Sequence, residues 1–143
     1  MSTWTAGKYP KVLEKIHEKQ INMSSDTITA HLTNAAPSVA HSLLSEITEI
    51  ATGGGYTQGT GLAVTVASSA MDGNTYKLTC SGTVGMTASG TVATFQYVVF
   101  CFSGVSGDPI LAYVDLGAAV NLLVNHILTL DFAGLVLYSC AFA

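Results

Sequence analysis

The chain has 143 residues, enough for one domain with a single core, and 49% of them are hydrophobic while only 10% are charged. Five lysines, no arginine and a net charge of −4 argue against a nucleic-acid-binding surface. The longest unbroken apolar run, residues 97–102, is far shorter than the roughly 18 residues of a membrane-spanning helix. The first twenty residues lack the apolar core of a signal peptide, so we expect synthesis in the cytoplasm and no membrane partner.

The N-terminal segment, residues 1–22, differs in charge from the rest of the chain. Residues 1–20 hold four of the five lysines and two of the nine acidic residues, so they are net +2 and the remainder is net −6. Pro10 can open a short helix, which would be marginal in isolation. Two interpretations stay open: a frayed, solvated terminus, or an arm that orders against the acidic body of its own or a neighbouring subunit. The predicted contact residues of this arm are Trp4, Lys8, Tyr9, Lys11, Val12, Leu13, Lys15, Ile16 and Lys19.

Beyond the arm, residues 23–143 are expected to form one β domain. Residues 27–33 alternate in polarity and predict a half-buried strand. Its apolar face carries Ile28, Ala30 and Leu32, and its polar face carries Thr27, Thr29, His31 and Thr33. The next segment has two interpretations. Ser38 could cap a short helix that turns Val39, Leu43 and Leu44 inward, or residues 44–50 could be irregular or extended.

The stretch ATGGGYTQGTG, residues 51–61, holds five of the fourteen glycines. A phosphate-binding GxxxxGK[ST] loop would need lysine where Thr60 stands, and GxGxxG fails at Gln58. An alternating strand follows the loop, whereas a phosphate site would require a helix there. We therefore expect the glycines to supply positive φ angles and close backbone approach at the start of a strand, with Tyr56 packed down onto the sheet.

The rest of the chain reads as a series of short strands. Leu62, Val64 and Val66 share one face, and Asp72-Gly73-Asn74 is a hairpin turn signal. Further strands are predicted near residues 75–80, 84–87, 110–120, 127–132 and 134–143. Residues 92–102 are almost continuously apolar, which favours burial on both faces. Six to eight strands with Ser, Thr and Gly turns predict an all-β fold. We expect an antiparallel β-sandwich, jelly-roll-like or a partly open barrel, preceded by the arm with its short helix.

Several segments, taken in order, resemble a known family. A glycine-tyrosine loop, GGGYTQGTGLAVT, precedes the hairpin DGNTYKLT, the apolar strand ATFQYVVFCF, and then GDPILAYVDLG and HILTLDFAGLVLYS. This pattern, over residues 28–138, resembles small tail- and capsid-region proteins of tailed bacteriophages. The resemblance implies a small β-sandwich virion component, oligomeric and without enzymatic activity. The arm lies outside the matched segments.

The residue patterns favour no catalytic, metal or cofactor site. No GxSxG elbow appears, the calcium-loop spacing is absent, and the acids Asp26, Asp72 and Asp108 stand at turns. Asp115 and Asp131 lie within strands, where an aspartate more often faces solvent or caps a turn than transfers protons. The histidines show no metal-ligand spacing with one another or with the cysteines: His17, His31, His41 and His126. The cysteines are expected to be small buried hydrophobes: Cys80, Cys101 and Cys140.

The low charge itself allows two interpretations. A β domain can cover its wet face with Thr, Ser and Gly, or much of its surface can be buried against neighbours in an assembly. Taken with burial in an assembly, the resemblance to phage proteins implies a structural virion protein. It would be a capsid cement or decoration protein that forms a homo-oligomer, a trimer or a dimer, and binds the major capsid protein or other virion proteins. A tail- or fibre-associated protein is the nearest alternative, and a glycan- or small-ligand-binding module the second, with Tyr56, Trp4 and Tyr113 as its aromatic candidates.

Overall fold

The computed structural model describes residues 6–141. Within that range the chain forms one α-helix, one 3-10 turn and nine strands. The helix α1 is Val12–His17 and the 3-10 turn is Leu44–Glu46. The strands are β1 (Gly7–Lys8), β2 (Thr27–Thr33), β3 (Leu62–Asp72), β4 (Thr75–Ser81), β5 (Thr83–Thr87), β6 (Val92–Ser103), β7 (Ile110–Leu122), β8 (Ile127–Asp131) and β9 (Val136–Ala141).

Seven strands form one antiparallel sheet in the order β1-β7-β6-β2-β3-β4-β9, and β5 and β8 pair in a second, smaller sheet. The large sheet curls until its two end strands approach each other, and Lys8 Nζ of β1 donates to Ser139 Oγ of β9 at 2.8 Å. The molecule is thus mostly antiparallel β with a nearly closed sheet. The predicted all-β fold class is confirmed, including its short N-terminal helix.

The apolar strand β6 runs through the middle of the core. Phe95, Val98 and Phe100 point into the interior, where Phe100 meets Phe132 edge to face with ring centroids 5.1 Å apart. On its other face β6 contributes to a second apolar cluster, formed by Tyr9, Leu44, Val99, Cys101 and Ile110. The prediction that this strand is buried on both faces is therefore confirmed.

The hairpin between β3 and β4 also follows the sequence. Asp72 pairs with Thr75 across the Gly73-Asn74 turn, and Gly73 has a φ of +61°, a conformation that glycine adopts without strain. Lys77 Nζ lies 2.7 Å from Asp72 Oδ2 on the exposed side of the hairpin. Tyr76, Leu78 and Cys80 share one face of β4, where Leu78 and Cys80 are buried and Tyr76 packs against the core.

The helical alternative for residues 38–44 and the expectation of a half-buried β2 are wrong. Ser38 caps no helix and Val39 is 63% exposed, although Leu44 is buried. The other alternative is confirmed, because residues 44–50 form one 3-10 turn followed by irregular and extended chain. The polar face of β2 is also buried, because residues 34–61 fold across it. Thr29, His31 and Thr33 are each at most 9% exposed. The strand that was expected to have one solvent-exposed face is therefore covered on both faces.

Candidate functional site

The burial of the polar face of β2 brings together a cluster of hydrogen-bonding side chains. His31 stands at its centre, 1% exposed, and its Nδ1 atom lies 2.8 Å from Oε1 of Glu49, whose side chain is 6% exposed. The other ring nitrogen, Nε2, lies 2.8 Å from Oγ1 of Thr29, which in turn lies 3.3 Å from Sγ of Cys101 on β6. A continuous line of polar contacts thus runs from the covering segment through β2 to β6.

Glu49 is held by the glycine-rich loop as well as by His31. The Tyr56 hydroxyl donates to Glu49 Oε1 and accepts a hydrogen bond from the Leu32 amide at 3.1 Å. The Gly59 amide lies 3.0 and 3.1 Å from the two carboxylate oxygens. Tyr56 is 1% exposed, so the prediction that it packs down onto the sheet is confirmed. The loop, the carboxylate and β2 therefore form one connected unit.

Gly61, the last residue of the loop before β3, occupies a position that requires glycine. Its φ is +65°, and a Cβ atom there would lie 2.6 Å from the Ala30 carbonyl oxygen and 2.7 Å from His31 Cε1. Such distances are shorter than carbon contacts in folded proteins. The expected positive φ and close backbone approach are both present, and the approach is directly to the strand that carries the histidine.

The cluster carries charge at neutral pH. Burial disfavours the charged form of His31, but the neighbouring Cys101 sulfur and the Glu49 carboxylate outweigh that effect and raise the pKa of His31 to about 9. Burial likewise disfavours ionised Glu49, yet hydrogen bonds from His31, Tyr56 and Gly59 lower the pKa of Glu49. Burial and the bond to Glu49 raise the pKa of Tyr56 above its ordinary range. An imidazolium and a carboxylate therefore face each other in the interior.

A hydroxyl, an imidazole and a carboxylate in line resemble in form the nucleophile, base and orienting acid of hydrolases. Thr29 and His31 are both buried, with exposed fractions of 9% and 1%. The groove that reaches Glu49 is lined by Leu44, Ile47, Gln58 and Gly59, among others, but not by Thr29 or His31. The arrangement can bind protons and tie the covering segment to the sheet, and both functions require only buried partners.

A different kind of surface lies between the N-terminal segment and β9. Three crevices of about 570, 300 and 370 Å³ follow this boundary. The largest has a mostly apolar lining contributed by α1, the turn after it, β3, β4 and β9. Its apolar lining residues include Ile16, Ile21, Met23, Met71, Tyr76 and Tyr138. Volumes of this size match ligand- and peptide-binding clefts in other proteins.

The third feature is an uncharged end of the molecule. Residues 50–71, 78–107 and 116–130 contain no Asp, Glu, Lys or Arg. Backbone hydrogen bonds join their loops: Ser89 donates to Gly54, Ala88 donates to His126, and Asn125 donates to Ala88. At this end Leu123, Val124 and Ile127 are 50%, 54% and 71% exposed. We call these three residues the apolar tip.

The predicted arm residues are divided between the interior and the surface. Trp4 lies outside the described residues. Tyr9 and Val12 are buried in the chain's own core, Ile16 packs partly against it, and Leu13 is 43% exposed. The lysines line the surface: Lys8 binds Ser139, Lys11 donates to the Ala40 carbonyl, Lys15 donates to Gln20, and Lys19 lines the largest crevice with a φ of +59°.

The sequence did not point to the His31 cluster. Glu49 lies 18 residues after His31 and Cys101 lies 72 residues after Thr29, so the fold alone brings Glu49 and Cys101 to the two β2 residues. One signal was present: Glu49 is the last charged residue before 22 uncharged ones, where an isolated acid needs a partner if it is buried. The strand acids Asp115 and Asp131, by contrast, are exposed and accept hydrogen bonds from the backbone amides of Gly117 and Ala133.

Comparison with known proteins adds no relative. The chain matches no protein-family model, no curated protein and no solved structure. Within residues 6–141 no group of three or more His, Cys, Asp or Glu side chains is arranged to hold a metal ion, and the three cysteines are free thiols. None of the helices described is long and apolar enough to cross a membrane.

Proposed function

We propose that this protein is a structural component of a phage virion, a capsid cement or decoration protein that stabilises the shell by binding across capsid subunits. Its partners would be the major capsid protein and further copies of itself in a dimer or trimer. The place of action would be the virion, assembled in the host cytoplasm. The order of segments that resembles small phage virion proteins supports this proposal.

The observation that carries the proposal is the apolar tip. Leu123, Val124 and Ile127 are each at least half exposed at an end whose loops contain no charged residue. Burying such a surface against another protein removes apolar area from water and leaves no charge without a partner. A protein that binds only the assembled shell stabilises that shell in proportion to its occupancy and affinity. The tip therefore supplies the kind of surface that a cement protein requires.

The test uses particles assembled from a phage genome that lacks this gene. Purified protein is added, and binding is measured by co-sedimentation while DNA release on heating reports shell stability. We expect wild type to bind and to raise the release temperature. Ile127→Glu should bind at least about tenfold more weakly, because it places a charge in the contact. Val39→Glu is the matched control, since Val39 is a 63% exposed valine outside the tip.

Three results would contradict the proposal. The protein could be absent from purified virions by mass spectrometry, it could leave the release temperature unchanged at saturating occupancy, or Val39→Glu and Ile127→Glu could weaken binding equally. Electron microscopy of particles carrying a labelled protein separates shell from tail. Label confined to the tail would favour the tail-associated alternative.

A further inference from the structure

The strand β9 presents an unpaired backbone edge. It pairs with β4 on one side, and it ends the seven-strand order on the other. On its free side β9 lies close to β7 and to the two-residue strand β1, which pairs with Ala112 and Tyr113 of β7. Within residues 6–141 no backbone pairing joins β9 to β1 or to β7, and a side-chain hydrogen bond from Lys8 to Ser139 crosses the gap. Amide and carbonyl groups along a free edge can pair with an added strand.

The free edge is flanked by apolar space. The crevices of about 570 and 300 Å³ both include Tyr138 and Cys140 of β9 in their linings. One extends toward Ile21 and Met71, and the other toward Val12 and Leu111. A strand lying along β9 would direct alternate side chains to opposite sides. The apolar crevices could accept the side chains on the inner side, which is the arrangement found where extended peptides add to a sheet.

The charges around this edge favour an acidic partner. The linings of the three crevices include Lys8, Lys19 and Lys77 and contain neither Asp nor Glu. Lys77 is already paired with Asp72, so Lys8 and Lys19 are the lining lysines that have no carboxylate partner within residues 6–141. Four of the five lysines of a protein of net charge −4 lie in the segment that borders the crevices. A cationic rim on an otherwise acidic molecule attracts acidic segments and repels basic ones.

We infer that the free edge of β9 binds an extended segment of another protein that alternates apolar and acidic residues. The segment would pair its backbone with β9, place apolar side chains in the crevices and direct carboxylates toward Lys8 and Lys19. The identity of that protein as a component of the virion rests on the proposed function. The edge, the crevices and their charge do not depend on it.

The test uses a fluorescent eight-residue peptide that alternates valine with glutamate, followed by anisotropy at physiological salt. Two matched peptides have lysine in place of glutamate, or N-methylated amides on alternate residues, which removes the backbone donors. We expect binding of the glutamate peptide, and binding at least about tenfold weaker for both matched peptides.

Protein variants locate the site. Lys19→Glu should weaken binding of the glutamate peptide about tenfold, and Lys8→Glu should act in the same direction. Lys15→Glu is the matched control because it makes the same charge change on the same segment outside the three linings, and it should stay within about twofold of wild type. Thermal unfolding of each variant checks that the fold is intact, and Lys19→Asn offers a second variant that tolerates the positive φ of this position.

Several outcomes would overturn the inference: no binding of the glutamate peptide, equal binding of the N-methylated or lysine peptide, or equal effects of Lys15→Glu and Lys19→Glu. Self-association that the peptide displaces would identify a second copy as the occupant instead. Binding that becomes at least tenfold tighter on removal of residues 2–5 would identify that segment of the same chain. Ile127→Glu should bind the peptide normally although it should bind particles weakly. A failure of the edge of β9 to bind peptide can therefore be distinguished from a failure of the apolar tip to bind particles.

Discussion

The Nδ1 atom of His31 and the Oε1 atom of Glu49 lie 2.8 Å apart in the interior, with side chains 1% and 6% exposed. This pair joins the central strand β2 to a long segment that has little regular structure of its own. Residues 34–61 contain one 3-10 turn and isolated bridges, so few backbone hydrogen bonds attach them to the sheet. The ion pair and its hydrogen bonds are therefore among the contacts that hold this segment over β2.

Glu49→Gln should destabilise the protein by about 3 kcal/mol at pH 7, because it leaves the His31 imidazolium buried without its counter-ion. Urea unfolding followed by circular dichroism measures the loss. Glu14→Gln, which changes an exposed acid on α1, is the matched control and should stay within about 0.5 kcal/mol of wild type. Equal effects of the two variants would show that the pair adds nothing to stability.

The same pair predicts how stability changes with pH. The pKa of His31 is raised from 6.5 to about 9 in the folded protein. Its contribution is therefore fully present below pH 6.5 and is lost as pH rises through 9, a change of about 3 kcal/mol. The pKa of Glu49 is lowered from 4.5, so its contribution is present above pH 4.5 and is lost as pH falls through the folded value.

The measurement is the free energy of unfolding from pH 4 to 10 for wild type and His31→Gln. The difference between the two proteins isolates the His31 contribution from the titration of lysines and tyrosines elsewhere. It should be largest between about pH 5 and 6.5 and should shrink toward pH 9. A difference that stays constant from pH 6 to 9.5 would contradict a raised pKa for His31.

Replacement by phenylalanine should have opposite effects on stability at two buried tyrosines. The Tyr56 hydroxyl binds Glu49 and the Leu32 amide, so Tyr56→Phe leaves a buried donor unsatisfied and should cost about 2 kcal/mol. The Tyr9 hydroxyl is buried with no hydrogen-bond partner among the described groups. Tyr9→Phe should therefore be neutral or stabilise the protein by about 1 kcal/mol. Thermal or urea unfolding of both variants decides, and a clear loss for Tyr9→Phe would indicate a partner for that hydroxyl.

The strands could be predicted from the sequence because alternation and turn residues are local signals. The hairpin at Gly73 and the apolar strand β6 follow directly from them. The covering of β2 could not be predicted, since alternation shows which side chains share a face but not what lies above it. Thr29 and His31 were expected to face solvent because residues 34–61 show no periodic pattern that would indicate a layer covering them.

The glycine loop allows a matched test of close approach. Gly59 and Gly61 both have positive φ, +81° and +65°, so alanine is strained at either position. Nothing lies within 4 Å of a Cβ at Gly59, whereas a Cβ at Gly61 would meet Ala30 and His31. Gly61→Ala should therefore cost about 2 kcal/mol more than Gly59→Ala in urea unfolding. Equal losses would mean that the backbone angle alone requires glycine at both positions.

From residue 6 onward the N-terminal segment packs against the chain's own body, which is one of the alternatives that its charge left open. Tyr9 pairs its amide with the Leu111 carbonyl, and Val12 is 3% exposed among core residues. The sequence did predict the apolar stripe, but periodicity cannot say whether such a stripe packs within its own chain or on a neighbour. Helix α1 has six residues, too few to be stable without the contacts that Val12 makes.

Removal of residues 1–20 should therefore destabilise the isolated protein rather than leave an intact body. Val12→Ala tests this without truncation and should cost about 2 kcal/mol, because it removes buried methyl groups and leaves a cavity. Leu13→Ala is the matched control on the same helix: its side chain is 43% exposed, and the loss should stay below about 0.5 kcal/mol. If Val12→Ala and Leu13→Ala lose equally little stability and the truncated chain melts at the same temperature, the segment docks without stabilising the sheet. The lysines beside Val12 would then remain available to a partner while the body folds alone.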